Sequence, residues 1–297
     1  VRFVTFEHRG GRSWGTLSRE GEIVDHGAAS TFDSLRSAIA GARPDELAEL
    51  ERGAPRIDAG GVRLLPPVPD PSKVLCVGYN YPDNRSLRYD APAGDAHVLP
   101  DHPVVFSRFN DTLVGDGEGL RVPRRSSNFD FEGELAIVVG AGGSDIPVDD
   151  ALDHVFGYSV FNDATVRDYG SSANHFTAGK TFPSSAAFGP AVVTPDEVGD
   201  ISDLVLRTRL NGAVVQEARL GDLIFGVAEV IAYCSQWARL QPGDVIATGT
   251  PGGVGASRRP PVWMLPGDVC EVEIDQIGLL TNPVTDEMAH EHEFLVG

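Results

Sequence analysis

The pattern of apolar and polar positions changes character near residue 66. Before it, Val1-Arg-Phe-Val-Thr-Phe6 and Glu22-Ile-Val-Asp25 have the β-branched and aromatic content of short strands, and residues 31–53 carry apolar side chains at helical spacing behind Thr31 as an N-cap. A small α+β unit is predicted. Leu65-Pro-Pro-Val-Pro-Asp-Pro71 then reads as a stiff, extended connection, because proline fixes φ and removes a backbone donor. The expected division is a small N-terminal domain over 1–66 and a larger domain over 67–297. In the larger part, short apolar runs at 74–77, 135–139, 191–193, 245–247 and 269–274 are punctuated by Gly, Pro, Asn and Asp, which predicts a mainly β (α+β) fold with long loops. One long helix interrupts it. Residues 223–237 are apolar on more than one face, so that helix is expected to pack deeply against a sheet.

Composition narrows the function classes. A chain of 297 residues with 41% hydrophobic content can bury a sizeable core. Its 43 acidic residues against 24 basic give a net charge of −19, which argues against nucleic acid or an anionic membrane as partner. No apolar stretch approaches the roughly 20 residues of a membrane helix, and residues 1–8 lack the apolar core of a signal peptide, so a cytoplasmic location is expected. Cys76, Cys234 and Cys270 are odd in number, far apart and set in apolar runs, so they read as reduced core residues. Positive charge is nearly all arginine. Lys180, beside Gly179 and two residues before an aromatic, therefore draws attention, although a single lysine is commonly a surface residue.

The candidate chemistry centres on Phe131-Glu-Gly-Glu-Leu135. Residues two apart in a strand share a face, so Glu132 and Glu134 project together from a segment that is otherwise strongly apolar. A second apolar run, residues 154–162, delivers Asp163 at its end. Three carboxylates form an oxygen-rich site for a hard divalent ion such as Mg²⁺ or Mn²⁺; the competing reading is a solvated strand face with an unrelated turn aspartate. Gly249-Thr-Pro-Gly-Gly-Val-Gly255 has the backbone freedom to cradle an anion, but it lacks the lysine and Ser/Thr pair of a nucleotide loop and also reads as a simple turn.

Five ordered blocks give the chain a family resemblance. They are Lys73-Val-Leu-Cys-Val-Gly-Tyr-Asn-Tyr81, Phe129-Asp-Phe-Glu-Gly-Glu-Leu-Ala136, Gly157-Tyr-Ser-Val-Phe-Asn-Asp163 with Arg167-Asp168, Gly179-Lys-Thr-Phe182, and the segment from Gly243 to Gly255. Together they resemble the fumarylacetoacetate hydrolase superfamily. The resemblance implies a mixed β-sandwich or β-roll core with few helices, a homodimer, and Mg²⁺, Mn²⁺ or sometimes Ca²⁺ held by Glu132, Glu134 and Asp163. It further implies that Lys180 lies beside the metal and bonds the substrate, and that Arg167, Thr250, Gly249, Tyr79 and Asn80 form the substrate wall. The implied substrate is a small anionic 2-oxo acid or 1,3-dicarbonyl compound. A metal with a lysine beside it stabilises an enolate, which serves C–C hydrolysis, decarboxylation and keto–enol isomerisation alike.

One segment departs from the family pattern. Relatives follow Asn-Tyr with a histidine and then a glutamate that together activate water; here Asn84 and Leu87 stand at the corresponding places. Neither side chain is a general base. Three readings are open: an enolate reaction that needs no hydrolytic water, such as decarboxylation or tautomerisation; acylpyruvate-type hydrolysis with a substitute base; or a non-catalytic metal-binding relative. His175 is the leading substitute acid–base candidate, with His97 and His102 flanking an expected lid over 82–103. Arg85 and Arg88 on that lid read either as surface charges or as contacts for a second substrate carboxylate. His290 and His292 read as part of a solvated tail.

Overall fold

The computed structural model describes residues 1–43, 46–47, 50, 53–87, 101–170 and 176–287, with the backbone alone described at 85–87. Five strands form the N-terminal part: Arg2–His8 (β1), Gly11–Leu17 (β2), Glu22–Asp25 (β3), Arg56–Asp58 (β4) and Arg63–Leu65 (β5). Val74–Gly78 (β6), Val104–Arg108 (β7), Leu113–Val114 (β8), Leu120–Val122 (β9), Phe129–Asp130 (β10), Gly133–Val139 (β11) and Val155–Asn162 (β12) come next. The remainder are Thr165–Val166 (β13), Ala186–Val193 (β14), Val205–Leu210 (β15), Ala213–Arg219 (β16), Val245–Ala247 (β17), Val269–Ile274 (β18) and Gly278–Asp286 (β19).

A long mixed sheet runs β4-β3-β2-β1-β14-β12-β11-β17-β6-β7, with β5 on β1 and β8 on β14. A second sheet runs β16-β15-β18-β19-β9. The strands of residues 1–65 continue the large sheet through β1, whose Arg2 and Phe3 pair with Val193 and Val192 of β14. β11 explains the layering. Leu135, Ile137 and Val139 face a core shared with Leu206, Val272 and Ile274 of the second sheet, whereas Ala136 and Val138 face one shared with Phe3, Trp14 and Leu35. Burial on both faces is why this strand reads as an uninterrupted apolar run.

Two helix expectations are corrected. The first helix spans Leu35–Gly41, with residues 46–47 also helical and 44–45, 48–49 and 51–52 outside the described residues, and it is capped by Ser34 rather than Thr31: Ser34 Oγ accepts from Ser37 N, and Ser37 Oγ accepts from Ser34 N. That reciprocal pair satisfies end donors that Thr31 does not reach. The later helix spans Val227–Trp237 and not 223–237, because Asn80 holds the backbone before it: its carbonyl O accepts from Ile224 N and its Oδ1 from Phe225 N. Gly226 is the N-cap, with Glu229 accepting from its N–H. As expected, the helix buries Val227, Val230, Ile231 and Cys234 in the core between the sheets. All three cysteines are free and buried.

Candidate active site

Glu132 and Glu134 straddle the start of β11, where Gly133 lies opposite Asn162 and Glu134 opposite Phe161 of β12. Asp163 follows the last residue of β12, and its N–H donates to Glu132 O at 2.8 Å. Glu132 N donates in turn to Asn162 Oδ1 at 3.0 Å. The period of two then carries both glutamates to the face that continues as Ala136 and Val138, away from the second sheet. One carboxylate oxygen from each of Glu132, Glu134 and Asp163 lies within 4.8 Å of the others, and all three residues are buried. Gly133 fixes the layer spacing here. A Cβ on it would sit 2.2 Å from Thr208 Oγ1 of β15, so a larger residue would push the glutamates off the sheet below.

Three cations surround the acids. Lys180, at the end of a short helical turn Thr177–Lys180, donates from Nζ to Glu132 Oε2 at 2.6 Å, to Asp163 O at 2.7 Å, and to Asp163 Oδ2. Its ammonium also lies 5.2 Å from the centroid of the Phe106 ring. Arg167 reaches Asp130 Oδ2 at 2.8 Å and Glu132 Oε1 at 2.5 Å. Arg108, the residue closing β7, is buried beneath them and donates to Asp163 Oδ1, Ala164 O, Ser185 Oγ and the Lys180 carbonyl. Neither Arg108 nor Asp130 stands out in the sequence. The available signals are an arginine ending an apolar strand and an aspartate two residues before Glu132, neither specific without knowledge of what packs opposite.

The charges do not balance. Glu132, Glu134, Asp163 and Asp130 face Lys180, Arg108 and Arg167, four acids against three cations. Burial pushes Glu132 up, but Lys180 and Arg167 outweigh it and hold this carboxyl below its ordinary range. Glu134 takes the deficit. Burial, reinforced by the neighbouring Asp163 charge, drives its carboxyl well above the usual value; its hydrogen-bond donor is Gly249 N, at 2.8 Å. Among the described residues it has no ion-pair partner. An unbalanced carboxylate converging with two others is a donor set for a hard divalent cation, which supplies the missing charge.

Glu132, Glu134, Asp163 and Lys180 line a cavity of about 290 Å³ together with Arg167, Thr250, Tyr79, Asp168 and Asn84. Tyr79 adopts a left-handed backbone (φ 56°) and packs edge-on against Phe176, 5.7 Å between centroids. Thr250 Oγ1 is committed to protein partners, donating to Gly133 O and accepting from Gln216 Nε2. Asn80 and Gly249, expected on the wall, do not line it. Asn80 Nδ2 is spent on Phe225 O and Thr248 O, and its Oδ1 on Phe225 N, which makes it a clamp between segments; Gly249 acts instead through its N–H on Glu134. The glycine-rich loop does cradle an anion, and the anion is the protein's own: Gly255 N and Ala256 N donate to Asp130 at 2.7 and 3.0 Å. His175, His97, Arg88 and most of the expected lid lie outside the described residues, as does the Leu87 side chain. His102 stacks on Tyr233, 5.5 Å between centroids, and is not on the cavity wall.

Residues 73–285 match the model of the fumarylacetoacetate hydrolase C-terminal domain, a span that contains every acid and cation of the cluster. The chain belongs to the fumarylacetoacetate hydrolase family. Among its relatives, the mitochondrial oxaloacetate tautomerase of Xenopus laevis is 39% identical over 230 residues, covering 77% of this chain and 70% of that protein. A fumarylacetoacetate hydrolase from psychrophilic Exiguobacterium antarcticum superimposes with a TM-score of 0.83 at 35% identity, over 96% of this chain and 99% of the other. Maleylpyruvate hydrolase from Sphingobium sp. SYK-6, solved in complex with manganese(II) and pyruvate, has a TM-score of 0.78 at 28% identity, over 96% and 99% of the two chains. The expected mainly β family fold with few helices is therefore observed. The chain is an enzyme of this family, and its acidic triad is of the kind that takes a divalent metal ion.

Proposed function

We propose that this protein catalyses metal-dependent keto–enol isomerisation of a small 2-oxo acid, oxaloacetate being the compound named for the Xenopus relative. The observation that carries the reading is the charge-deficient triad with Lys180 on the wall of a cavity of about 290 Å³. Glu132, Glu134 and Asp163 would hold Mg²⁺ or Mn²⁺. Bound there, the ion supplies Lewis-acid stabilisation of negative charge on the substrate's oxo oxygen. Lys180 adds a second positive charge at the same place, its ammonium oriented by Glu132 and Asp163. Arg167, steadied by Asp130, presents a guanidinium to the substrate carboxylate.

Isomerisation requires one proton to leave C3 and one to reach the oxo oxygen. Lys180 Nζ, whose three N–H groups are held by Glu132 Oε2, Asp163 O and Asp163 Oδ2, would donate at the oxygen by exchanging one of these acceptors for the substrate. Asp168 is the lining carboxylate outside the acidic cluster; it accepts from Ser126 Oγ and Asn128 Nδ2, which orient it on the wall as the base for the C3 proton. Asn84, at the place where the family pattern has a water-activating histidine, is neither acid nor base, which favours isomerisation over attack by water.

The test is the ultraviolet decay of oxaloacetate enol absorbance with Mg²⁺ or Mn²⁺ against a chelator control, beside a pyruvate and CO₂ assay. Metal-dependent enol loss without pyruvate is expected, with Lys180→Met reducing it by at least about 100-fold. Stoichiometric pyruvate would replace isomerisation by decarboxylation. No turnover of any oxo acid by folded, metal-loaded protein would overturn the proposal.

A further inference from the structure

Asn84 carries an unexplained oxygen. The residue is 7% exposed and lines the cavity, its Nδ2 donates to Thr250 O at 2.8 Å, and its Oδ1 is buried without a hydrogen-bond partner among the described residues. The amide cannot be turned round to cure this. Thr250 O only accepts, so the NH₂ end must face it and the acceptor end must face away. Thr250 follows Gly249, whose N–H holds Glu134, so Asn84 is tied to the backbone that positions a metal-cluster carboxylate.

We propose that Asn84 is the specificity residue that selects the hydroxyl-bearing form of the ligand, the enol rather than the keto form of the oxo acid. This rests on the function proposed above and adds to it a residue that distinguishes the two tautomers. A keto oxygen and a carboxylate oxygen are acceptors, and neither pairs with Oδ1. An enol O–H donates, and it satisfies an acceptor that burial leaves costly to strand. Sites built around a hydrogen bond to a hydroxyl reject analogues lacking it far more strongly than apolar sites reject shape differences. The neutral amide gives this selection without proton transfer, so the enol is bound and not consumed by the residue that reads it.

The experiment compares two stable probes in the Mn²⁺-loaded full chain: glycolate, which carries a C2 hydroxyl, and oxalate, which carries only acceptors. Dissociation constants are measured for the wild type, Asn84→Ala and Asn84→Asp. In Asn84→Ala, glycolate should weaken by about 10-fold or more while oxalate stays within about twofold. Asn84→Asp sets a second acceptor against the Thr250 carbonyl and loses the donor that fixes Oδ1, so it should lose the glycolate preference as Asn84→Ala does. Equal weakening of both probes in Asn84→Ala, or no change in either, would overturn the inference while leaving the proposed function standing. Failure of oxalate to bind the metal-loaded wild type would overturn that function and the inference with it.

Discussion

Glu134 bears the cost of the site in the metal-free protein. Its buried carboxyl sits beside Asp163 with one backbone N–H for support, whereas Glu132 and Asp163 each have Lys180 and an arginine. Such a group destabilises the fold whenever it is charged, and a neutral isostere removes that cost. Glu134→Gln should therefore raise the melting temperature of the metal-free protein while weakening Mn²⁺ binding by at least about 100-fold, since even outer-shell partners are worth 10–100-fold. Calorimetric melting and metal titration together check it; a variant that melts lower and binds metal normally would refute the charge-deficit account. Glu132 is the poorer probe. Its removal strands Lys180 and Arg167 as well, so lost metal affinity would be mixed with a collapsed ion-pair network.

At the scale of elements, the glycine-rich loop and the strand end at Asp130 behave as one part. Gly255 N and Ala256 N hold Asp130, Asp130 holds Arg167, and Arg167 stands on the cavity wall. Gly255 has no room for a side chain: a Cβ would lie 1.7 Å from Val262 O, a backbone atom that cannot step aside alone. Gly255→Ala should thus lift the loop from Asp130, raising KM for the oxo acid several-fold more than it changes metal affinity. Steady-state kinetics with parallel Mn²⁺ titration decides, and an unchanged KM would sever the loop from Arg167. The same region shows what sequence could and could not disclose. The i, i+2 glutamates and Asp163 were legible because strand periodicity and two apolar runs determine their side and their neighbourhood. The partner of the glycine-rich loop was not, since its anion is a residue more than one hundred positions away. Arg108 was hidden for the same reason, as its four acceptors lie on three later segments. The start of the Leu35–Gly41 helix moved because a local side chain, Ser37, captured the Ser34 N–H, whereas the start of the Val227–Trp237 helix moved because Asn80, 145 positions away, captured a backbone group that periodicity alone leaves inside the helix.

The whole molecule sets a field opposed to its own site. A net charge of −19 repels an anionic oxo acid at long range, while the cluster, short of one positive charge, becomes net positive once a divalent ion binds. Repulsion acts over the Debye length, about 30 Å at 0.01 M ionic strength and about 10 Å at 0.1 M, whereas the buried attraction is little screened. Added salt should therefore help this enzyme. With the metal site kept saturated, kcat/KM for a dicarboxylic oxo acid is expected to rise between about 0.01 and 0.1 M of a non-chelating monovalent salt, through KM and not kcat. A monoanionic oxo acid should show a smaller rise, because the repulsion scales with ligand charge. Stopped-flow rates across that range discriminate the two contributions, and a steady fall in kcat/KM with salt would mean that a positive local field at the cavity mouth, and not the overall charge, governs the approach of substrate.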